Sequence, residues 1–345
     1  MKKKILFNLL CISLLVASGC NKNDDDNMTD NPIICLKGID SYTIEAINEN
    51  TLIDCSDCPF DCQEVFSEEI RYDYFYPVFN PNDKDEIAYL RFDNTTWGVE
   101  HELWKLNLCT GEHLLLSENA AYGLSWSVKE WLIYTGVDQQ IWKVKSNGDS
   151  LTQMTFSGDY NRHPKWNPGG DKYLYNTQNS SDNWYIISNE KGEPIDTIVE
   201  LETSAHYNWI DTDKISFLTS NGSTSFLQYI ELTDYSIYSI LGIDHSQGHD
   251  SLVQSTSGLL SENSIVWCAI KVIGKTDMNT GQTTYLKSGF SNRRYWFLDV
   301  SRDNSHLLFA RQDRYQIDEC NYDSEYRIFI MDTNGENERK INIPE

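Results

Sequence analysis

The sequence predicts an all-β chain built as a six-bladed β-propeller, and three observations lead there. A bulky apolar residue, then a turn, then an alternating apolar strand recurs at Phe79, Trp126, Trp166, Trp209, Leu260 and Val300. The gaps of 47, 40, 43, 51 and 40 residues suit a four-stranded unit with short loops, repeated as an array. A second marker keeps phase with the first. Strands such as Leu103 to Leu106 and Ile328 to Met331 run into tight turns at Gly111, Gly148, Gly192, Gly281 and Gly335, with Asp234 in the fourth copy. No helical stripe of ten or more residues interrupts the stretch from Tyr72 to Glu345.

Within each copy the order is an inner strand ending at the marker, a second strand, a third and an outer one. The third copy shows all four: the inner strand ends at Trp166, and Lys172 to Tyr175, Trp184 to Ile187 and Ile195 to Val199 follow. Period-two alternation of β-branched and aromatic residues supports each strand. A seventh blade would need strands from the segment before Tyr72. The run His163-Pro164-Lys165-Trp166-Asn167-Pro168-Gly169-Gly170-Asp171, followed by Tyr173-Leu174-Tyr175, resembles the repeat of TolB-like six-bladed propellers over residues 70 to 345. The fifth copy, Gly258 to Gly289, departs furthest from that pattern. The resemblance implies a platform for docking other envelope proteins, often through the channel mouth. It does not carry over the particular partners of TolB, because residues 33–68 do not read as the α/β domain that accompanies the propeller there.

The N-terminal segment reads differently. Lys2, Lys3 and Lys4 precede an apolar run from Ile5 to Val16, and Ala17-Ser18-Gly19-Cys20 closes it, as in a signal peptide over residues 1–19. The small residues before Cys20 resemble the lipobox of bacterial lipoproteins, which implies acylation of Cys20 and attachment to the outer membrane. A single acyl chain binds a membrane reversibly, at about 0.8 kcal/mol per buried methylene, whereas several hold firmly. Residues 20–32 form a polar tether whose Asp24-Asp25-Asp26 run also resembles the surface-export signal of Bacteroidetes lipoproteins; a plain solvated spacer is the other reading. Residues 33–68 form a small module with Cys35, Cys55, Cys58 and Cys62. Disulfides are favoured for an exported segment too small to hold itself by a core, and zinc ligation by the same thiolates is the rival. The propeller occupies residues 69–345.

Net charge is −24 over the full chain, from 28 basic and 52 acidic side chains. Such a field repels a polyanion, and no basic stripe offsets it, so nucleic acid is excluded as a partner.

Propellers place functional groups where the chain enters its inner strands. Those positions carry Tyr76, Tyr122, Arg162 with His163, His206 with Tyr207, and Arg293 with Arg294 and Tyr295. Arginine forks beside aromatic rings suit carboxylates, peptide termini and sugars. The plainer reading pairs the arginines with acids at blade seams. His245, His249 and Asp250, in the connection between the fourth and fifth copies, are a weak candidate set for a divalent metal to which the sequence assigns no further ligand, and would be the route to a metal-assisted lyase or hydrolase. No nucleophile elbow, metalloprotease helix, phosphate loop or dinucleotide fingerprint is present, so no catalytic residue and no cofactor is assigned. Ser301 to Ser305 superficially resembles the Asp box of sialidases but falls where every copy has its first hairpin turn. The acidic stretch from Gln312 to Glu325 reads as a solvated loop, with calcium binding as the alternative. The expectation is a non-enzymatic protein-binding lipoprotein; capture of glycan, with Trp97 or Trp184 stacking on sugars, is the alternative binding role.

Overall fold

A computed structural model describes residues 63–64, 72–93, 101–179, 183–198, 207–220, 224–244, 253–259, 263–269, 271–288, 293–316 and 321–343. The signal segment, Cys20, the four clustered cysteines, His206, His245, His249, Asp250 and Trp97 lie outside them. Among the described residues every regular element is a strand.

After β1 (Gln63–Glu64), blade 1 is built from β2 (Tyr72–Asn80), β3 (Asp83–Asp93), β4 (His101–Asn107) and β5 (His113–Ala120). Blade 2 has β6 (Tyr122–Trp126), β7 (Trp131–Thr135), β8 (Ile141–Lys145) and β9 (Thr152–Gln153). Blade 3 has β10 (Tyr160–Trp166), β11 (Lys172–Gln178), β12 (Asn183–Asn189) and β13 (Pro194–Ile198). Blade 4 follows with β14 (Asn208–Trp209), β15 (Lys214–Ser220), β16 (Thr224–Glu231) and β17 (Ile237–Asp244). Blade 5 comprises β18 (Val253–Leu259), β19 (Ser264–Ala269), β20 (Val272–Asp277) and β21 (Thr283–Ser288). Blade 6 comprises β22 (Arg293–Val300), β23 (His306–Gln316), β24 (Asn321–Asp332) and β25 (Arg339–Lys340). Within each blade consecutive strands pair antiparallel in chain order. Trp126, Trp166, Trp209 and Val300 end their inner strands, Phe79 is the last residue but one of β2, and Leu260 directly follows β18.

Six hydrophobic clusters fill six seams. Each joins two adjacent sheets: blades 1 and 2 through Leu90, Leu103 and Trp126, blades 2 and 3 through Ile133 and Trp166, blades 3 and 4 through Ile187 and Trp209. Blades 4 and 5 meet through Leu227 and Trp267, blades 5 and 6 through Val266 and Phe309, and blades 6 and 1 through Ile330 and Tyr89. A four-stranded sheet has two apolar faces and can bury neither alone, so the last of these contacts closes the ring.

That closing seam has its own hydrogen bonds. β25 covers one stretch of the outer edge of β24, and β1 pairs parallel with another at Gln63↔Asn321 and Glu64↔Tyr322. Between them the Asp73 carboxylate accepts the Tyr326 N–H at 2.8 Å, and Arg327 Nη1 donates to the Tyr72 carbonyl at 2.8 Å. Gln63 and Glu64 thus add one short strand to blade 6, and the described residues form six blades. Nearer the axis, Asp299 Oδ2 of blade 6 accepts the Phe79 N–H of blade 1 at 2.8 Å, and Ser125 Oγ of blade 2 accepts the Trp166 N–H of blade 3 at 3.0 Å. Asp299 and Ser125 both precede their marker by one residue, so one repeat position stitches two seams.

Two local expectations change. In the fourth copy the left-handed turn residue is Tyr235, at φ 61°, and not Asp234; its N–H donates to the Glu231 carbonyl at 2.8 Å, as Gly111 and Gly281 do to Asn107 and Asp277. Asp234 holds the turn from beside it, its Oδ1 accepting the Ser236 N–H. The stretch from Gln312 to Glu325 is not a solvated loop, since β23 and β24 extend through most of it and pair Asp313 with Glu325. Asp313 is bound to Arg311 at 2.6 Å and to Arg293 at 3.2 Å, and Glu325 to Arg327 at 2.9 Å, so their carboxylates are neutralised in place. The Ser301 to Ser305 segment is a hairpin turn, with Asn304 left-handed at φ 58°.

Two stability predictions follow from these contacts. Removing the acceptor for a buried N–H costs about 1–3 kcal/mol, so Asp299→Ala should lower the urea unfolding free energy by that amount while Asp299→Asn, which keeps an acceptor oxygen, loses less. In blade 1, His113 stacks on Trp104 at 4.2 Å and shares a hydrogen bond with the Tyr89 hydroxyl. Burial, reinforced by Arg91, holds its pKa down to about 4 against the ordinary 6.5. The unfolded chain therefore takes up this proton first: the contribution is fully present above pH 6.5 and is lost as pH falls from 6.5 towards 4. Unfolding titrations of His113→Gln should show a flatter pH dependence across that window than the parent protein.

Candidate functional site

Five inner strands, β18 among them, carry a register shift at the same repeat position, and in four of them one residue turns to left-handed φ three places before the marker. These residues are Tyr76 (φ 50°), Gly123 (64°), His163 (52°) and Phe297 (51°). A bulge at this point turns a side chain out of the blade face and towards the axis. The Tyr76 ring lies 3.8 Å from that of Phe297 and 6.4 Å from the His163 imidazole. Blades 1 and 3 are not neighbours, so Tyr76 and His163 meet across the space in front of blade 2. Gly123 leaves that space open: a Cβ there would sit 2.6 Å from His163 Cα. His163 is fixed from behind by its own N–H, which donates to Thr135 Oγ1 at 3.0 Å. The three rings form an aromatic layer at the axis, contributed by blades 1, 3 and 6.

On the side where the inner strands begin, the rim is built by blades 2 and 3. Arg162 lies over two tyrosine rings, its guanidinium carbon 4.7 Å from the Tyr160 centroid and 5.8 Å from that of Tyr122. Arg162 Nε donates to Gln139 Oε1 at 2.8 Å, and the Tyr122 hydroxyl binds the same oxygen. Tyr122 also stacks on His163 at 5.2 Å, which joins rim to aromatic layer. Burial raises the Tyr122 pKa despite the opposing influence of Arg162 and Gln139, so its hydroxyl stays protonated at neutral pH. Tyr160 is 51% exposed, and Phe156, on the loop leading to β10, is 78% exposed.

A buried polar network holds that loop. Gln140 Oε1 accepts from Thr155 Oγ1 and from Asn161 Nδ2, each at 2.9 Å, while Gln140 Nε2 donates to the Asp159 carbonyl at 2.9 Å. Asn161, only 2% exposed, also donates to Ser157 Oγ at 2.9 Å. An exposed apolar ring on a loop tied at several points is held ready for contact without further ordering cost.

Beyond the aromatic layer, at the position just before the marker, Lys165 of blade 3 and Asp299 of blade 6 face the channel from opposite sides of the ring. Lys165 Nζ donates to the Leu124 carbonyl at 3.2 Å. Burial lowers the Lys165 pKa and raises that of Asp299, each partly offset by the other's charge.

Of the residues expected at the mouth, Tyr76, Tyr122, Arg162 and His163 come together. Tyr207 and Tyr295 do not, being 3% and 2% exposed. Tyr207 sits in the seam of blades 3 and 4 and donates its hydroxyl to the His163 carbonyl at 2.7 Å; Tyr295 packs edge-on against Phe309 in the seam of blades 5 and 6. In an inner strand alternate side chains enter the seams, and both tyrosines fall in that phase. Arg293 pairs with Asp313, its register partner on the next strand of the same blade and not an acid across a seam, while Arg294 lies on β22 beside it, paired in register with Gln312. Phe297 was legible as the partner of Tyr76 and His163, three residues before its marker. Gln139, Phe156 and Tyr160 had no such signal, because the first two lie in connections and the third opens β10, outside the repeated marker positions. Among the described residues no three His, Cys, Asp or Glu side chains converge as a metal set.

The architecture defines the class: a six-bladed β-propeller with an aromatic and cationic mouth. No established family matches the sequence, and no curated protein does. Solved structures resemble it in fold. Putative TolB from Agrobacterium tumefaciens aligns with a TM-score of 0.55 at 11% identity, covering 79% of this chain and 89% of that one. TolB from Acinetobacter baumannii gives 0.51 at 14% identity and covers 63% of this chain, which spans 56% of that protein's length. The propeller domain of the Trilobed protease from Pyrococcus furiosus, described as having an open velcro topology, gives 0.52 at 11% identity, covering 81% and 97%. The fold is thus a TolB-like propeller.

The aromatic layer yields a direct test. Gly123→Ala combines a left-handed backbone, costing a Cβ-bearing residue about 1–2 kcal/mol, with the overlap at His163. It should destabilise the protein by more than that amount in urea unfolding.

Proposed function

We propose that this chain is a lipid-anchored envelope protein whose propeller is a non-enzymatic docking module, engaging another envelope or surface protein at the mouth formed by Tyr122, Phe156, Tyr160 and Arg162. The observation that carries this reading is the rim: exposed aromatic side chains beside an arginine, on a loop already fastened by Gln140, Thr155 and Asn161. Aromatic residues and arginine contribute disproportionately to protein interfaces, because they bury large area at small entropic cost and bind acceptors in fixed geometry. The TolB-like fold is consistent with an envelope setting, and the basic, apolar and small-residue segments ending at Cys20 support lipid anchoring.

Crosslinking in intact cells, followed by pull-down, tests the docking role. A defined partner should be recovered with the parent protein and lost with Phe156→Ala/Tyr160→Ala, whose fold is checked by thermal melting; equal recovery with both sinks the reading. Cys20→Ala should move the protein from the membrane to the soluble fraction, and protease shaving of the same cells reports which face of the membrane the propeller occupies. A stoichiometric metal that disappears in His245→Ala and His249→Ala would instead favour the lyase or hydrolase alternative.

A further inference from the structure

We infer that Arg162 is a receptor for a single carboxylate on the docking partner, delivered end-on at the channel mouth. This rests on the docking function proposed above and specifies the chemical group that the rim takes. Among the described residues Arg162 enters no ion pair, although the chain carries 52 acidic side chains and Arg91, Arg293, Arg311 and Arg327 are all bound to carboxylates. Its Nε is committed to Gln139, which fixes the plane of the guanidinium. Tyr160 and Tyr122 pack against it and shield it from water. The donors that remain are those of the two terminal amino groups, which match the two oxygens of a carboxylate. Partial desolvation by the rings strengthens that pairing relative to one in open water.

Two further features narrow the ligand. One guanidinium in a strongly acidic protein balances a monoanion, whereas a phosphate monoester would bring a second negative charge into a field already negative. Behind the rim, the rings of Tyr76, Phe297 and His163 crowd the axis on the side of blades 1, 3 and 6, which favours a carboxylate at or near the end of what enters. Tyr160, half exposed and lying against the guanidinium, favours an aromatic or apolar neighbour to that carboxylate, and Phe156 stands exposed on the loop leading to β10. The α-carboxylate of a chain terminus and a side-chain carboxylate share this chemistry.

Short probes separate the possibilities on the unmodified protein. In isothermal titration or ligand-observed NMR, N-acetyl-tryptophan should bind at least about tenfold more tightly than N-acetyl-tryptophan amide, an interval expected for loss of one charge-assisted pair. Arg162→Gln should abolish the difference, and Arg162→Lys, which keeps the charge but not the fork, should retain only part of it. Acetyl-Gln-Trp with a free terminus, set against acetyl-Trp-Glu amide, identifies whether the α-carboxylate or the side chain is preferred. Equal binding of acid and amide overturns the inference, as does an acid preference that survives Arg162→Gln. Binding of glucuronate in place of every peptide acid overturns a protein partner in favour of an acidic glycan. Pull-down keeps the two levels apart: partner lost with Phe156→Ala/Tyr160→Ala but kept with Arg162→Gln leaves the docking role standing without its carboxylate.

Discussion

Burial between neighbouring sheets is the interaction on which this molecule rests. Each sheet of four strands exposes two apolar faces, and each face finds its cover only on the next sheet round the ring. Residues such as Ile87, Leu132, Tyr173, Ile215, Trp267 and Phe309 are wholly or almost wholly buried for this reason, one from each blade. No blade is a stable unit by itself, and the seam between first and last blades carries the same kind of core as the other five. Side-chain hydrogen bonds at that seam, from Asp73 and Asp299, satisfy backbone N–H groups that no strand reaches.

The ring in turn makes the mouth. Inner strands bulge at a common position, and the residues released from the ladder there, Tyr76, His163 and Phe297, meet at the axis because Gly123 leaves them room. Arg162 and Tyr122 immediately precede two of these bulges, which places them at the rim. Their neighbours Gln139 and Phe156 come from the hairpin between β7 and β8 and the connection into β10, and Tyr160 from the first residue of β10, positions where the repeat fixes no residue type. A repeated scaffold thus presents an unrepeated surface, as expected where function resides in loops and fold alone does not specify it.

Charge is distributed with the same division. Arginines on blade 6 are absorbed in carboxylate networks: Arg311 bridges Asp313 and Glu338, and Glu338 also binds Lys287 of blade 5 at 2.8 Å. These pairs are partly buried, so removing one partner would strand the other; Arg311 with Asp313 and Glu338 ties blade 6 internally, and Lys287 with Glu338 carries the network across to blade 5. Arg162 stands apart from such networks, held by rings and an amide.

The sequence by itself determined the architecture, because a propeller repeats its constraints: a bulky residue at each inner-strand end, left-handed turn residues and alternating strands recur six times, and recurrence is visible without coordinates. It also placed Tyr76, Tyr122, Arg162 and His163 near one axis. Which neighbours of those residues reach the mouth was decided only by the tertiary structure. Tyr207 and Tyr295 share their strand ends and residue type, yet the pleat turns them into the seams, while the bulge turns Tyr76 and His163 out of them. A bulge is a property of two paired strands and of the sheet beyond, so its effect on side-chain direction emerges only when the blades are assembled.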